Sequence, residues 1–137
     1  MPTITISTGI LDTRLEQANP ATSFATASKI GVDTNANEQA LLAFTELFGP
    51  SPNQVPLGAT ITSATLTLQT TNGSAQGGSL HRMLLPWTTL PAWTWDSFGN
   101  GVQFDGREAI AAADLVTGAV DIGSRPSRQA GARHPRR

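Results

Sequence analysis

Three tryptophans, Trp87, Trp93 and Trp95, crowd within nine residues of a chain that has only five phenylalanines and no tyrosine. An indole offers two kinds of work: its face stacks against the C–H face of a sugar ring, or its large area is buried as the anchor of a core. Both uses are open for this cluster. Just downstream, Asp96, Asp105 and Glu108 flank a Gly/Asn/Asp-rich stretch from 96 to 106. Oxygen-rich loops suit calcium, paired carboxylates can hydrolyse a glycosidic bond, and Asp, Asn and Gly also shape turns with no ligand at all. Turn shaping is the plainest of the three, and a structural calcium site at Asp96, Asp105 and Glu108 is the functional alternative. No EF-hand spacing is present.

The remaining chemistry is sparse. Arg14, Lys29 and Arg82 are the only cations before Arg107. On one face they could grip a carboxylated polysaccharide through bidentate or point-charge contacts. His81 lies in a strand candidate and His134 near the end of the chain, so a two-histidine metal site would need an improbable meeting. His81 is therefore expected to be an ordinary strand residue satisfied by a neighbour. Gly-x-Ser-x-Gly is absent, and Gly99-Asn100-Gly101 lacks the Gly-Lys-Ser/Thr that would complete a phosphate loop. No catalytic residue is assigned.

Composition bounds what can position these groups. The chain has 137 residues, about one domain's worth, with 14% charged residues against roughly 25% in an average domain. No stretch approaches the about 20 apolar residues of a membrane span, and residues 1–5 lack the features of a signal peptide. Zero cysteines exclude disulfides, thiolate catalysis and Cys-based metal sites. Charge is lopsided: up to residue 124, four basic side chains face ten acidic ones, giving −6, whereas residues 125–137 carry five arginines and no acid. Clustered arginines can neutralise phosphates, yet this stretch has no aromatic residue and no periodicity, so no nucleic-acid partner is expected. Its Pro, Gly and Arg content cannot supply a core, and residues 123–137 are expected to be a disordered tail behind a domain at 1–122.

Along that domain, short alternating segments separated by turns indicate an all-β sandwich or barrel. Residues 3–7 place Ile4 and Ile6 on one face of a first strand. Residues 17–28 read as a loop around Asn19 and Pro20, and 29–33 as a short strand. Residues 38–49 are ambiguous: apolar residues at 40, 41, 44, 47 and 48 have helical spacing, with Gly49 as a C-terminal cap, while Ala40, Leu42 and Phe44 also fit a strand closed by one helical turn at 45–48. The clearest strand covers 59–69, with Ile61 out of phase and a bulge expected near Ser63. After the loop at 72–78, residues 79–85 return as its partner until Pro86 stops them, and 107–114 form a short helix candidate.

Several of these segments in order resemble the DNRLRE-domain family, which is related to carbohydrate-binding module family 96. The likeness rests on Gln39-Ala-Leu-Leu-Ala-Phe44, the Val-Pro-Leu-Gly-Ala-Thr-Ile-Thr-Ser-Ala-Thr-Leu-Thr-Leu run at 55–68, Leu80-His-Arg-Met83, Trp87 and Thr94-Trp95-Asp96. Asp12-Thr-Arg-Leu15 looks like the family's opening aspartate motif, and 20–24 like the segment that follows it. The likeness covers about residues 4–120. It implies a jelly-roll β-sandwich serving as a non-catalytic appendage of secreted or surface bacterial proteins, in some relatives binding polysaccharide, and it tips 38–49 toward strand. It also puts Trp87 and Trp95 at motif positions that suit core packing, which leaves Trp93 as the exposed indole.

Two departures qualify the likeness. Ala43 stands where the family usually carries Arg or a similar polar residue, and nothing after Val120 matches the family's later strands. A jelly roll needs about eight strands, more than this chain offers, so the sandwich is expected to be cut short near residue 121 and to self-associate through its unpaired edge. The resulting expectation is a carbohydrate-binding or display module that stacks sugar on Trp93, aided by Arg82 or Arg14. The alternative is a purely structural spacer or adhesive module. No cofactor beyond structural calcium is called for.

Overall fold

The structure, a computed structural model, describes residues 3–34, 37–87, 93–120 and, as backbone, 130–132. Strands dominate, and no α-helix occurs among the described residues. The strands among the described residues are β1 (Ile10–Glu16), β2 (Glu38–Phe44), β3 (Ala64–Leu66), β4 (Ser79–Leu80), β5 (Leu115–Val116) and β6 (Ala130–Ala132). They pair antiparallel into three two-stranded sheets, β1–β2, β3–β6 and β4–β5. The chain divides into two compact units, one of Met1–Ala59 with Leu85–Gln103, the other of Thr60–Leu84 with Phe104–Arg137.

The first unit is built on β1 and β2, paired over seven residues from Ile10 opposite Phe44 to Glu16 opposite Glu38. Side chains alternate across a strand, so Thr13 and Leu15 of β1 share a face with Leu41 of β2. That face is the inner one: these residues are 2%, 0% and 4% exposed. The ambiguous segment 38–49 thus resolves as strand over Glu38–Phe44, while 45–47 turn and Phe48 bridges Val55 without the helical turn expected there. Pairing decides the matter, because β1 supplies a ladder for every residue of β2, whereas so short a helix would be marginal alone.

Two other expected strands find no ladder partner among the described residues. Residues 3–7 alternate correctly but form no ladder, and Gly9, with φ +63, turns the chain into β1. A side chain at Gly9 would run into Glu46. Residues 29–33 reduce to one bridge, in which Asp33 and Glu38 exchange backbone hydrogen bonds of 3.2 and 3.0 Å. Ile30 is half-buried, but Val32, two residues on, is 67% exposed.

In the second unit, residues 74–84 run antiparallel to 108–120 as an interrupted ladder. Ser74 bonds Val120 in both directions at 2.8 Å, Thr117 N–H donates to Gly78, Asp114 to Leu80, Ile110 to Arg82, and Leu84 to Glu108. This corrects two expectations. The partner of 79–85 is this return segment and not 59–69, and 107–114 is an irregular run of bends around the Met83–Ala109 bridge rather than a helix. Eight residues make a marginal helix alone, and the bonds across to 80–84 fall here on Glu108, Ile110 and Asp114. Of 59–69 only Ala64–Leu66 is strand, and its partner is Ala130–Ala132, inside the segment expected to be disordered. Residues 121–129 and 133–137, with the remaining tail and His134, lie outside the described residues. Of the apolar side chains described in this unit, Ala109 is the buried one, at 1% exposure.

Candidate functional site

The tryptophans were the leading functional candidates, and all three are buried: Trp87 at 7%, Trp93 at 8% and Trp95 at 5% exposure. Trp93 is therefore not the exposed stacking platform that sequence suggested. A short 3₁₀ turn, Trp95–Phe98, turns the cluster inward, with Thr94 N–H donating to Ser97 Oγ at 2.8 Å and Asp96 N–H donating to the Pro20 carbonyl at 2.9 Å. Trp93 packs on Phe98, ring centroids 4.7 Å apart and tilted by 56°, an arrangement the ring quadrupoles favour. The Trp95 indole N–H donates to Asn100 Oδ1 at 3.0 Å, whereas the buried Trp93 N–H has no acceptor among the described residues.

The loop after this turn is fastened to the sheet by Gln39. Its amide donates to the Val102 carbonyl at 3.1 Å and accepts the Val102 N–H at 2.7 Å, so the side chain acts as one more rung of ladder. Gly101 makes this approach feasible: its φ is +69, and a Cβ there would meet the Trp95 ring and Gln39 Oε1 at under 3 Å. Gln39, Asn100 and Gly101 escaped the sequence reading, because an amide in a strand and a turn Asn-Gly carry no signal until the strand is known to face the turn.

Arg14 is brought to a defined place but is already occupied. Its Nε donates to Glu16 Oε1 at 2.6 Å, Nη1 donates to the Lys29 carbonyl at 3.1 Å, and the guanidinium lies 4.3 Å from the Phe24 ring centroid. Glu16 also accepts from Asn19 Nδ2 at 2.8 Å. The Asn19 bond, with the Arg14 hydrogen bond and charge, holds the Glu16 carboxyl below its usual range against the opposing effect of burial. Arg14, Glu16, Asn19 and Phe24 thus form a polar clasp joining β1 to the loop after it. A sugar would have to compete with that clasp for the guanidinium.

The carboxylates are not gathered. Among the described residues no three His, Cys, Asp or Glu side chains are grouped to hold a metal ion; of the residues expected to bind calcium, Asp96 belongs to the first unit and Asp105 and Glu108 to the second. Asp96 is exposed on the 3₁₀ turn of the first unit. Asp105, in the second unit, closes its own turn: Oδ1 accepts the N–H groups of Arg107 at 2.9 Å and Glu108 at 3.2 Å. Those two bonds lower its carboxyl from the usual value.

The second unit presents one aromatic outward. His81 stacks on Phe104, ring centroids 4.3 Å apart, and Phe104 is 49% exposed. Both imidazole nitrogens are occupied, Nδ1 by the Ile110 carbonyl at 2.9 Å and Nε2 by Ser79 Oγ at 3.0 Å. His81 is hydrogen-bonded as sequence suggested, but it lies just past β4, which ends at Leu80, and not within a strand. Arg82 is exposed, and its carbonyl serves the ladder through Ile110. Phe104 was missed because a lone phenylalanine between Gln103 and Asp105 resembles any turn residue. No family model, curated protein or solved structure matches this chain.

Proposed function

We propose that the chain is a non-catalytic contact module, a β-rich spacer or adhesive piece of a larger surface-exposed assembly, related in design to jelly-roll sandwiches. The observation that carries this reading is the burial of all three indoles at 5–8% exposure, which spends the chain's best sugar-stacking surface on its own core. The single carboxylate turn at Asp105 and the occupied Arg14 point the same way, since neither leaves a reactive pair or a free clamp. Retention on a panel of immobilised polysaccharides tests it. No retention and no turnover are expected; retention on any glycan, or hydrolysis abolished by Asp105→Asn, would refute it.

A second reading, polysaccharide binding, is favoured by one observation: the half-exposed Phe104 ring is braced by a hydrogen-bonded His81. A rigid aromatic face suits sugar stacking, and exposed Arg82 supplies donors in the same unit. Retention that is lost in Phe104→Ala and reduced in Arg82→Ala would favour this reading over the first.

A further inference from the structure

The hydrogen-bond pattern of β1 and β2 fixes which backbone groups face outward. Gln17 N–H donates to Asn37 O, and Thr45 N–H to Gly9 O, so the odd-numbered residues of β1 bond across the ladder to the odd-numbered residues of β2. In an antiparallel pair, the intervening residues turn their N–H and C=O away from the partner. On β2 these are Glu38, Ala40, Leu42 and Phe44. Glu38 is taken by Asp33. Ala40, Leu42 and Phe44 have no other backbone partner among the described residues.

We infer that this free edge is a homodimer interface, in which Ala40, Leu42 and Phe44 pair antiparallel with the same residues of a second copy. The proposal rests on the contact-module reading and names the contact. Four observations select a second copy as the occupant. First, the edge is its own complement: with Leu42 on the two-fold axis, Ala40 faces Phe44 of the other copy and each facing pair closes two N–H···O=C bonds, the isologous arrangement of a closed dimer.

Second, the ladder's length is set by the chain itself, since the Asp33 bridge stops it at Glu38 and the turn at Thr45 stops it after Phe44. Third, residues 40–44 carry no charge and no proline, the devices that usually guard an open edge. The outer edge of β1, by contrast, bears Asp12, Arg14 and Glu16. Fourth, Phe44 and its cross-strand neighbour Ile10 are 38% and 40% exposed. In the dimer, Ala40 of the second copy extends that row, and a two-stranded ribbon, marginal by itself, becomes a four-stranded sheet.

Sedimentation velocity of the full chain over a range of concentrations tests the proposal with two substitutions. Leu42→Pro removes an outward N–H and leaves the β1–β2 ladder intact, because proline is tolerated where the missing donor faced away from the partner strand. Leu42→Lys places like charges against each other at the two-fold axis, while each lysine faces Asp12 of its own chain, its register partner. The expected result is a reversible monomer–dimer equilibrium whose dissociation constant rises about tenfold or more in each variant, with the buried-tryptophan emission unchanged. A monomer at every concentration, an open-ended series of oligomers, or a dimer indifferent to both substitutions would each overturn it. Glycan retention does not enter this measurement, so its outcome is separate from that of the contact-module reading.

Discussion

Individual side chains in this protein are spent on holding loops to strands. Trp93 and Trp95 differ by one hydrogen bond: Trp95 is satisfied by Asn100, while the buried Trp93 donor has no partner among the described residues. A buried unsatisfied group costs about 1–3 kcal/mol. Trp93→Phe removes that cost along with some volume, whereas Trp95→Phe breaks a bond and strands Asn100. Denaturant melts are therefore expected to show Trp95→Phe more destabilising than Trp93→Phe by at least about 1 kcal/mol, and Trp93→Ala destabilising by about 3–5 kcal/mol. Equal losses for the two phenylalanine variants would remove the basis for the distinction. Glu16 makes a pH prediction. Its carboxyl is held below the usual range in the fold, so the stability it contributes is present above the unfolded-state pKa, near pH 4, and is lost as pH falls through the lower, folded value. Acid titration of the melting temperature should show this loss in the wild-type chain and a shallower decline in Glu16→Gln.

Single elements show what pattern could and could not reveal. The alternation in 38–44 was visible, as was its competitor, a helix; the residues could not choose because the deciding fact is a partner strand some twenty residues upstream. For the same reason the excellent alternation of 3–7 and of 59–69 overstated both strands, since periodicity reports which faces a strand would have and not whether a ladder exists. The segment 107–114 reads as a short helix until the bonds of 108–114 to 80–84 are seen. At the site, turn formation by Asp105 and the satisfaction of His81 were legible from residue type alone. The burial of Trp93 was not, because it depends on how the 3₁₀ turn Trp95–Phe98 sets the chain. The strongest element-level test is the Gln39 rung. Gln39→Leu leaves the Val102 N–H and carbonyl without partners, and a loss of about 1–3 kcal/mol is expected in chemical denaturation, together with a red shift of tryptophan emission as the 93–102 loop loosens. An unchanged stability would show that the loop is held by burial alone.

At the scale of the whole molecule, the two units differ in how much they bury. The first contains Leu15, Leu41, Trp87, Trp93, Trp95, Phe98 and Val102 below one-tenth exposure, whereas Ala109 is the buried apolar residue described in the second. Local stability follows buried apolar contact, so amide hydrogen exchange should be slower at the inward-bonded residues of β1 and β2 than in the 74–84 and 108–120 ladder. The reverse order would place the stable core elsewhere. The indoles belong to the interior, and on the proposed reading the molecule acts by contact. The most direct test is intrinsic tryptophan fluorescence of the full chain, titrated with a panel of polysaccharides and probed with a soluble quencher. A blue-shifted emission that resists quenching and ignores every glycan is expected; a red-shifted, readily quenched emission that a glycan shifts or protects would contradict the account.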